Sequence, residues 1–316
     1  MRYFLRKLIH SLLLIIGVTF ISFLLMVYFG PDQTYTLVGK STSSEQIETV
    51  REQLGYNQPF LVRYGDYVRD LFTLQLGSSF SNGEPVADLL VRTLPITVAL
   101  ILPGFVLGNL AGIVLGLLAA ANAGRWPDRL IGGTSLAGMS LSFLIIIIVL
   151  QVILCTPYGL NLFPARGWQV SGLSSYLYFV TVPSLALILI TLGYNTRFYR
   201  AVFVEEMGKD HIRTARAFGA STTEIMARHV LKNSLVPVIT RVMFSIPLIV
   251  VSGSLLLETY FGIPGVGKTT FDAITNGDQP VLKSVVGLTA VLFVMAQLVA
   301  DLLYRLADPR ITSRIA

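Results

Sequence analysis

The eight residues from Gly262 to Thr269, GIPGVGKT, have types and a spacing that could do chemistry. They satisfy the pattern G-x-x-x-x-G-K-[ST], in which backbone amides and a lysine hold the phosphates of a nucleotide. That chemistry needs a buried strand before the loop, a helix after it and an acidic residue after a second strand. Here an apolar helix is predicted before the motif, and Pro264 with Gly265 forms a turn. We therefore interpret the match as chance on a glycine-rich turn.

Three charged residues within or beside apolar stretches form a second group: Arg241, Glu258 and Asp301. Charges inside a membrane are costly and usually face protein or a water-filled cavity. Arg241 and Glu258 are therefore candidates either for a transport pathway or for helix packing. For Asp301 we favour packing, because Arg305 follows four residues later and the two can pair on one helix face.

The sequence shows no arrangement that resembles a catalytic triad or a metal cluster. The three histidines, His10, His211 and His229, are scattered or lie in a polar loop. The single cysteine, Cys155, lies in an apolar run and cannot form an internal disulfide, so it says little about the redox compartment. We expect no catalytic residue, no metal site and no cofactor bound by this chain.

The elements that must position these residues are membrane helices. Of the 316 residues 53% are hydrophobic and 13% are charged, whereas soluble domains carry about 25% charge. A membrane span needs about 20 apolar residues. The first apolar run continues to Tyr28 without a cleavage site, so it is read as an uncleaved span. The candidate spans are Leu8–Phe29, Leu94–Ala121, Leu130–Pro157, Tyr176–Thr196, Leu235–Tyr260 and Ser284–Leu306.

The distribution of Lys and Arg predicts the orientation of these spans. With the N-terminus inside, the inner segments carry nearly twice as many basic residues as the outer ones. Basic residues collect on the cytoplasmic side of membrane proteins, so both termini are expected to be cytoplasmic. The same rule accounts for the net charge of +6, and no nucleic-acid partner is needed.

A basic loop, residues 197–234, separates the fourth and fifth spans and reads as two short helices. Gly219 is a good stop for the first helix, and Ser221 with Glu224 is a capping box that starts the second. A DNA-binding helix-turn-helix would need a third helix and a soluble core. A merely solvated loop could attract anionic lipid. We favour a protein-docking surface, because small residues allow close approach: Thr214, Ala215, Ala217, Gly219 and Ala220.

The basic loop resembles the "EAA" loop of the membrane subunits of binding-protein-dependent ABC importers. It is most similar to the dipeptide, oligopeptide and nickel permease branch. In the wider superfamily Arg213 would be Glu and Lys232 would be Pro, and Phe218 stands where Lys is frequent, which we expect to be tolerated. The residues that carry the resemblance are Arg213, Thr214, Ala215, Arg216, Ala217, Gly219, Ser221, Arg228, His229, Leu231, Asn233 and Pro237.

Other segments extend the resemblance over nearly the whole chain. The string LLETYFGIPGVGK looks like the extracytoplasmic turn after the fifth span, and LQLGSS like a motif of the N-terminal insert. The tail DLLYRLADPR, with Asp301, Tyr304, Asp308, Pro309 and Arg310, is also typical. The resemblance implies an all-α integral membrane protein with six transmembrane helices, the type I ABC importer permease fold and a small extracytoplasmic insert.

The expected organisation has four parts. Residues 1–29 are an N-terminal transmembrane helix and residues 30–92 an extracytoplasmic insert. Residues 93–307 are a five-helix permease core that contains the loop 197–234, and residues 308–316 are a cytoplasmic tail. In the insert, apolar residues recur at helical spacing from Phe60 to Phe72, and Pro85 is a helix start. The insert is expected to meet a solute-binding protein or roof the outer vestibule; the alternative is a stabilising element.

The resemblance implies a permease subunit of an ATP-driven importer in a bacterial cytoplasmic membrane. Its partners would be a second homologous permease in a heterodimer, two cytoplasmic ATP-binding subunits, a solute-binding protein and the lipid bilayer. ATP and Mg would bind the ATPase subunits, so this chain would not be an enzyme. Di- or oligopeptides are the commonest solutes of this branch, with nickel or another small solute as the alternative. The residues expected to couple to the ATPase are Arg213, Thr214, Ala215, Arg216, Ala217, Gly219, Ser221 and Glu224.

Two other classes of protein fit the sequence less well. A secondary transporter would need ionisable residues at mid-membrane as a proton or ion relay. Four of the six predicted spans have no charge at their centres, which argues against that class. A membrane-anchored ATPase would need the strands that flank a phosphate-binding loop, and the sequence does not predict them.

Overall fold

The computed structural model describes residues 2–30, 34, 44–53 and 55–307 of the chain, and these residues are mostly helical. The expected tail 308–316, with Asp308, Pro309 and Arg310, lies outside them. The shorter helices are α2 Ser44–Gln53, α3 Phe60–Phe72, α5 Trp126–Ser140, α6 Phe143–Cys155, α8 Asp210–Ala217, α9 Thr222–Glu224, which continues as a π-helical segment Ile225–Leu231, and α12 Val266–Asn276.

The longer helices are those that can cross a membrane. They are α1 Arg2–Phe29, α4 Val86–Ala121, α7 Leu173–Met207, a run made of α10 Leu235–Leu248, a π-helical segment Ile249–Gly253 and α11 Ser254–Phe261, and α13 Gln279–Ala307. By length and composition there are five such helices among the described residues, or six if the pair α5 and α6 counts as one bent span. The predicted all-α fold with six apolar segments is confirmed.

The third predicted span, Leu130–Pro157, is not one straight helix. Helices α5 and α6 meet at an angle of 95°. Leu141 and Ser142 between them have extended backbones, with ψ of 135° and 138°. An unbroken apolar run gave no sign of this bend, because neither Leu nor Ser is a strong helix breaker. Helix α5 packs closely against α7. A Cβ on Gly193 of α7 would lie 2.9 Å from the carbonyl oxygen of Ser135 in α5.

Helices α4 and α7 pack together along a series of glycines. Gly104, Gly108, Gly112 and Gly116 recur every four residues and therefore share one face of α4. A Cβ at each position would lie between 2.3 and 3.0 Å from atoms of α7. Small residues at this spacing allow two membrane helices to approach with their backbones nearly in contact. The atoms of α7 that they meet belong to Ser184, Thr191, Asn195 and Tyr199.

A buried polar cluster joins the same two helices. The side-chain oxygen of Asn109 accepts hydrogen bonds from Nδ2 of Asn195 and from the hydroxyl of Tyr199, both at 3.0 Å. Its own Nδ2 donates to the carbonyl of Phe105 at 2.9 Å. Unsatisfied polar groups are costly in a membrane, so the two bonds to Asn109 from α7 favour this register of α4 against α7.

The first part of the chain, residues 1–96 with 264–295, forms a compact unit of its own. Helix α3 lies alongside α1, since the hydroxyl of Tyr64 donates to the carbonyl of Ile16 at 2.9 Å. Aromatic rings on the two helices pack around Phe23, which is 2% exposed. Tyr67 donates to the carbonyl of Lys283 at 2.9 Å, and burial raises the pKa of Tyr67. Thus α3 braces α1 and α13.

The segment that follows α3 is fixed to a buried carboxylate. Asp278 is 2% exposed, and its Oδ2 accepts from the hydroxyl of Ser79 at 2.5 Å and from the backbone N–H of Ser81 at 3.1 Å. Next to it, helix α4 begins at Val86, directly after Pro85, as predicted. The LQLGSS motif therefore stabilises this unit through the contact of Ser79 with Asp278.

Candidate functional site

The basic loop begins as a continuation of the fourth span. Helix α7 runs on to Met207, so the first eleven residues of the loop 197–234 belong to it. The sequence prediction ended the span at Thr196, where charged residues begin. Charge marks the edge of the apolar stretch but does not end a helix, and the chain leaves helical geometry only near Gly208. Helices α8 and α9 then form the rest of the loop.

The turn between α8 and α9 has the glycine stop that the sequence predicts, and one half of the predicted capping box: Ser221 caps α9, while the Glu224 carboxylate bonds Arg228. Gly219 has a positive φ of 83°, its N–H donates to the carbonyl of Arg216, and the N–H of Ala220 donates to that of Ala215. This pair of bonds is a Schellman motif, in which glycine avoids the strain that a Cβ would bring. Ser221 then accepts from the N–H of Glu224 at 3.2 Å, which caps α9.

An apolar underside holds α8 and α9 against the long helices. Ile212 of α8 and Val230 of the π-helical segment are both 0% exposed. They pack in one cluster with residues of α4, α7 and α10: Ala120, Tyr199, Phe203 and Val238. Fully burying such a side chain contributes about 1.5–3 kcal/mol. The two short helices are therefore fixed to three long ones rather than hanging from a mobile loop.

Polar contacts reinforce this attachment at the end of α7. Glu206 is 5% exposed and pairs with Lys209 and, at 3.2 Å, with His211. The imidazole of His211 also contacts the side-chain amide of Asn233 at 3.0 Å. These contacts link the end of α7 to residues at both ends of the α8–α9 segment. They therefore fix the orientation of that segment relative to α7.

The opposite face of this pair is open. Of the eight residues predicted to couple, six are exposed and two, Ala215 and Glu224, are half-buried. The carboxylate of Glu224 accepts from Arg228 at 3.0 Å. Phe218, between these residues, is 88% exposed. Sequence reasoning only expected Phe218 to be tolerated, although a lone aromatic residue in a polar turn is a signal of a contact residue. We call Arg213–Glu224 the docking face.

Arg241 lies on the wall of a cavity of about 240 Å³ between α6, α7 and the run from α10 to Gly253. Its Nε donates to the side-chain oxygen of Asn195 over a long 3.4 Å. Its guanidinium carbon lies 5.6 Å from the ring centroid of Phe198. Arg241 therefore continues the polar cluster of Asn109, Asn195 and Tyr199 to an open surface.

Glu258 is in a different situation from Arg241. It is 0% exposed, and its carboxylate accepts from the hydroxyl of Thr97 at 2.5 Å, a residue that is also 0% exposed. The contact joins α11 to α4, so the geometry favours helix packing for Glu258.

The phosphate-loop pattern has the wrong surroundings for nucleotide binding. Helix α11 precedes it, and the described residues contain no β-strand that could flank it. Lys268 pairs with Asp272 at 2.6 Å, one turn later in α12. Gly262 ends α11 with a φ of 65°. These residues form a turn between two helices.

Comparisons with known proteins agree with this arrangement. Residues 112–313 match the family model "Binding-protein-dependent transport system inner membrane component", and residues 1–101 match its N-terminal companion. A peptide transport system permease protein of Brucella abortus (strain 2308) is 32% identical over 97% of this chain and 98% of its own length. The dipeptide transport system permease protein of Alkalihalophilus pseudofirmus is 29% identical over 98% of both chains.

A solved structure supports the fold. A chain of the inward-facing MetNI methionine ABC transporter matches with a TM-score of 0.57 and 19% identity, over 71% of this chain and 99% of the other. That likeness shows the fold of the core, while the family models together cover nearly the whole sequence. The chain thus belongs to the membrane permeases of binding-protein-dependent ABC importers, which work with ATPase and solute-binding subunits.

Proposed function

We propose that this chain forms half of the translocation pathway of an ATP-driven importer of di- or oligopeptides. The observation that carries the proposal is the docking face, an exposed surface on two short helices that are fixed to three long ones. The names of relatives from Brucella abortus and Alkalihalophilus pseudofirmus support peptides as the solute. Nickel or another small solute is the alternative.

The assembly we propose is a heterodimer with a second homologous permease, two cytoplasmic ATP-binding subunits and an extracytoplasmic solute-binding protein. It lies in the bacterial cytoplasmic membrane with both termini of this chain inside. ATP and Mg bind the partner subunits, and this chain carries out no covalent chemistry. The four-part organisation proposed from the sequence, 1–29, 30–92, 93–307 and 308–316, assigns the docking face to the third part.

The packing of the docking face suggests how motion passes into the membrane. When ATP closes the two ATPase subunits, each moves as a rigid body. Because Ile212 and Val230 are buried against α4, α7 and α10, a displacement of α8 and α9 moves those long helices with them. Helices α4 and α7 then move together, since the glycine series and Asn109 join them. The two permeases rock between inward- and outward-open states around the solute.

Reconstitution into proteoliposomes tests the proposed function. The complex with its solute-binding protein should take up labelled trialanine only when ATP is supplied to the ATPase side. A protonophore should leave uptake unchanged, whereas a secondary transporter would lose it. Uptake of radioactive nickel without uptake of any peptide would replace the peptide proposal with the alternative.

The insert needs its own test, because α3 both braces α1 and presents an open side. Asp66 and Arg69 pair at 3.6 Å, and their side chains are 48% and 68% exposed. The double variant Asp66→Arg, Arg69→Asp keeps the pair but reverses its direction. If the insert meets the solute-binding protein, stimulation of ATP hydrolysis by that protein should fall while the complex stays intact. Unchanged stimulation would leave bracing as the role of α3.

A further inference from the structure

The cavity beside Arg241 is the feature of the molecule that the preceding sections leave without a role. Its volume is about 240 Å³, and its surface is mainly apolar, although six of the twelve residues that line it are polar or charged. The cavity is open to the outside of the chain, since Tyr194 and Leu248 on its wall are 42% and 58% exposed. The polar members of its wall are Thr191, Tyr194, Asn195, Arg241, Ser245 and Ser252.

Arg241 has donors to spare at this cavity. A guanidinium group carries five N–H donors and is always charged. Within the described residues Arg241 forms no ion pair within 4.0 Å, and its hydrogen bond to Asn195 is long, at 3.4 Å. A cation in this state would be expensive against lipid, so the wall that carries it is expected to face water or an anion.

The backbone around the cavity is also unusual. Helix α10 changes to π-helical geometry at Ile249–Gly253, and Ser252 and Gly253 of this segment belong to the cavity wall. Insertions of this kind in α-helices are frequent at functional sites. The carbonyl of Leu248 already has a second partner, because the hydroxyl of Ser252 donates to it at 2.6 Å.

The size of the cavity limits the peptide that it could hold. Arg241 and Gly253 on its wall are twelve residues apart, which corresponds to about 18 Å along a helix at 1.5 Å per residue. An extended peptide rises about 3.3 Å per residue, so a tripeptide of roughly 10 Å is shorter than this wall. The hydroxyls of Thr191, Ser245 and Ser252 donate to carbonyls of their own helices, so they can only accept from the N–H groups of a peptide. The cation of Arg241 at one end can hold a terminal charge.

We propose that Arg241 binds the terminal α-carboxylate of the transported peptide within the translocation pathway. The guanidinium fork matches a carboxylate with two parallel hydrogen bonds, and its long contact with Asn195 leaves the other donors available. The inference rests on the proposed function as a peptide permease and names a contact that would select free-acid peptides. It also orients the peptide, with its carboxyl end at the end of the cavity where α10 begins.

The test compares uptake of trialanine and its C-terminal amide by the full complex in proteoliposomes. The solute-binding protein can prefer one of the two peptides, so the quantity to compare is the acid-to-amide ratio of wild type divided by that of Arg241→Gln. The contribution of the binding protein cancels in this quotient, as in a double-mutant cycle. We expect a quotient of about ten or more, the value of a charge-assisted hydrogen bond.

Two control variants keep the test sharp. Arg241→Lys keeps the charge and should retain most of the wild-type acid-to-amide ratio. Arg197→Gln removes an exposed charge from α7 that lines none of the cavity and should leave the ratio unchanged. If Arg241→Gln does not assemble, Ser245→Leu, which fills the cavity, should lower trialanine uptake severalfold while ATPase recovery stays intact.

A quotient near one for an assembled Arg241→Gln complex would overturn the proposal, as would full uptake by Ser245→Leu. An equal loss of uptake of trialanine and its amide would also overturn the proposal. It would assign Arg241 to packing against the second permease. The proposed function is scored separately, because uptake of trialanine by the wild-type complex is measured in the same experiment.

Discussion

Two turns of this chain are built around a glycine with positive φ, and they differ in what surrounds them. At Gly219, in the basic loop, the neighbouring Phe218 is 88% exposed and the turn is open. At Gly262 the next residue, Ile263, is 1% exposed, and the N–H of Gly167 donates to the carbonyl of Phe261. The first turn is exposed, whereas the second is enclosed by its own chain.

The comparison shows that a match to a sequence motif does not establish the function of the segment that carries it. The enclosed turn matches every position of the phosphate-binding loop pattern, whereas the open turn matches only a family signature. Exposure and anchoring decide between them. The open turn has buried residues on one side and exposed residues on the other, as the proposed coupling to an ATPase requires.

The largest effect is expected from closing the open turn with Gly219→Pro. Proline requires a φ near −65° and lacks the N–H that Gly219 donates to Arg216. Uptake should be abolished, and recovery of the ATPase subunit with the permease should fall about tenfold or more. Gly77→Pro is the matched control, since Gly77 also has a positive φ, 73°, but lies in the insert. Equal ATPase recovery from both variants would contradict the docking face.

Charge reversal on the open face should have the next largest effect. Arg216 lies in the last turn of α8, and Arg216→Glu places an anion where the helix dipole favours a cation. We expect loss of uptake and about fivefold lower ATPase recovery, measured by pull-down. Arg69→Glu makes the same change in the last turn of α3. Arg69→Glu should not alter ATPase recovery. If it lowers recovery as much as Arg216→Glu does, the effect of Arg216→Glu does not come from the docking face.

A stability effect without a docking effect is expected in the unit that contains the insert. Ser79→Ala removes the side-chain donor to the buried carboxylate of Asp278 and should cost about 1–3 kcal/mol. Ser81 donates through its backbone N–H, so Ser81→Ala should cost little. Thermal unfolding of the purified chain in detergent checks both variants. Equal melting temperatures would show that the Ser79 contact adds nothing to stability.

The smallest effect is expected at the phosphate-loop pattern. Lys268→Ala loses an ion pair with Asp272 that spans one turn of α12, a contact of about 0.3–0.5 kcal/mol. ATP hydrolysis by the assembled complex should stay within about twofold of wild type, because the lysine is not expected to touch nucleotide. Photocrosslinking of a nucleotide to the isolated chain would contradict this and would remove the contrast between the two turns.

The parts that the sequence predicted well follow local rules. Gly219 and Ser221 specify their turn locally, and the structure has the predicted stop and the Ser221 cap, whereas the Glu224 carboxylate of the predicted capping box bonds Arg228. Pro85 likewise precedes the start of α4. Apolar runs predicted the number of spans because backbone groups in lipid must be satisfied within a helix. Each of these signals lies within a stretch of sequence no longer than about one membrane span.

The parts that were missed depend on contacts between distant residues. The 95° break between α5 and α6 is formed by Leu141 and Ser142, whose types do not demand it. The polar cluster of Asn109, Asn195 and Tyr199, and the cavity that Arg241 reaches, join residues more than 80 positions apart or on different helices. Periodicity carries no information about such partners. The spacing of the four glycines of α4 shows a small-residue face but does not say which helix packs against it.

The glycine series also sets a limit on genetic variation along α4. From Gly104 to Gly116 four positions have no room for even a methyl group, while the residues between them, such as Leu107 and Leu110, are more than half exposed. A saturation library scored for growth on peptides would therefore show intolerance with a period of four residues over about 18 Å of helix. Alanine at one of these positions would need a compensating change on α7, so substitutions on the two helices are expected to arise in pairs.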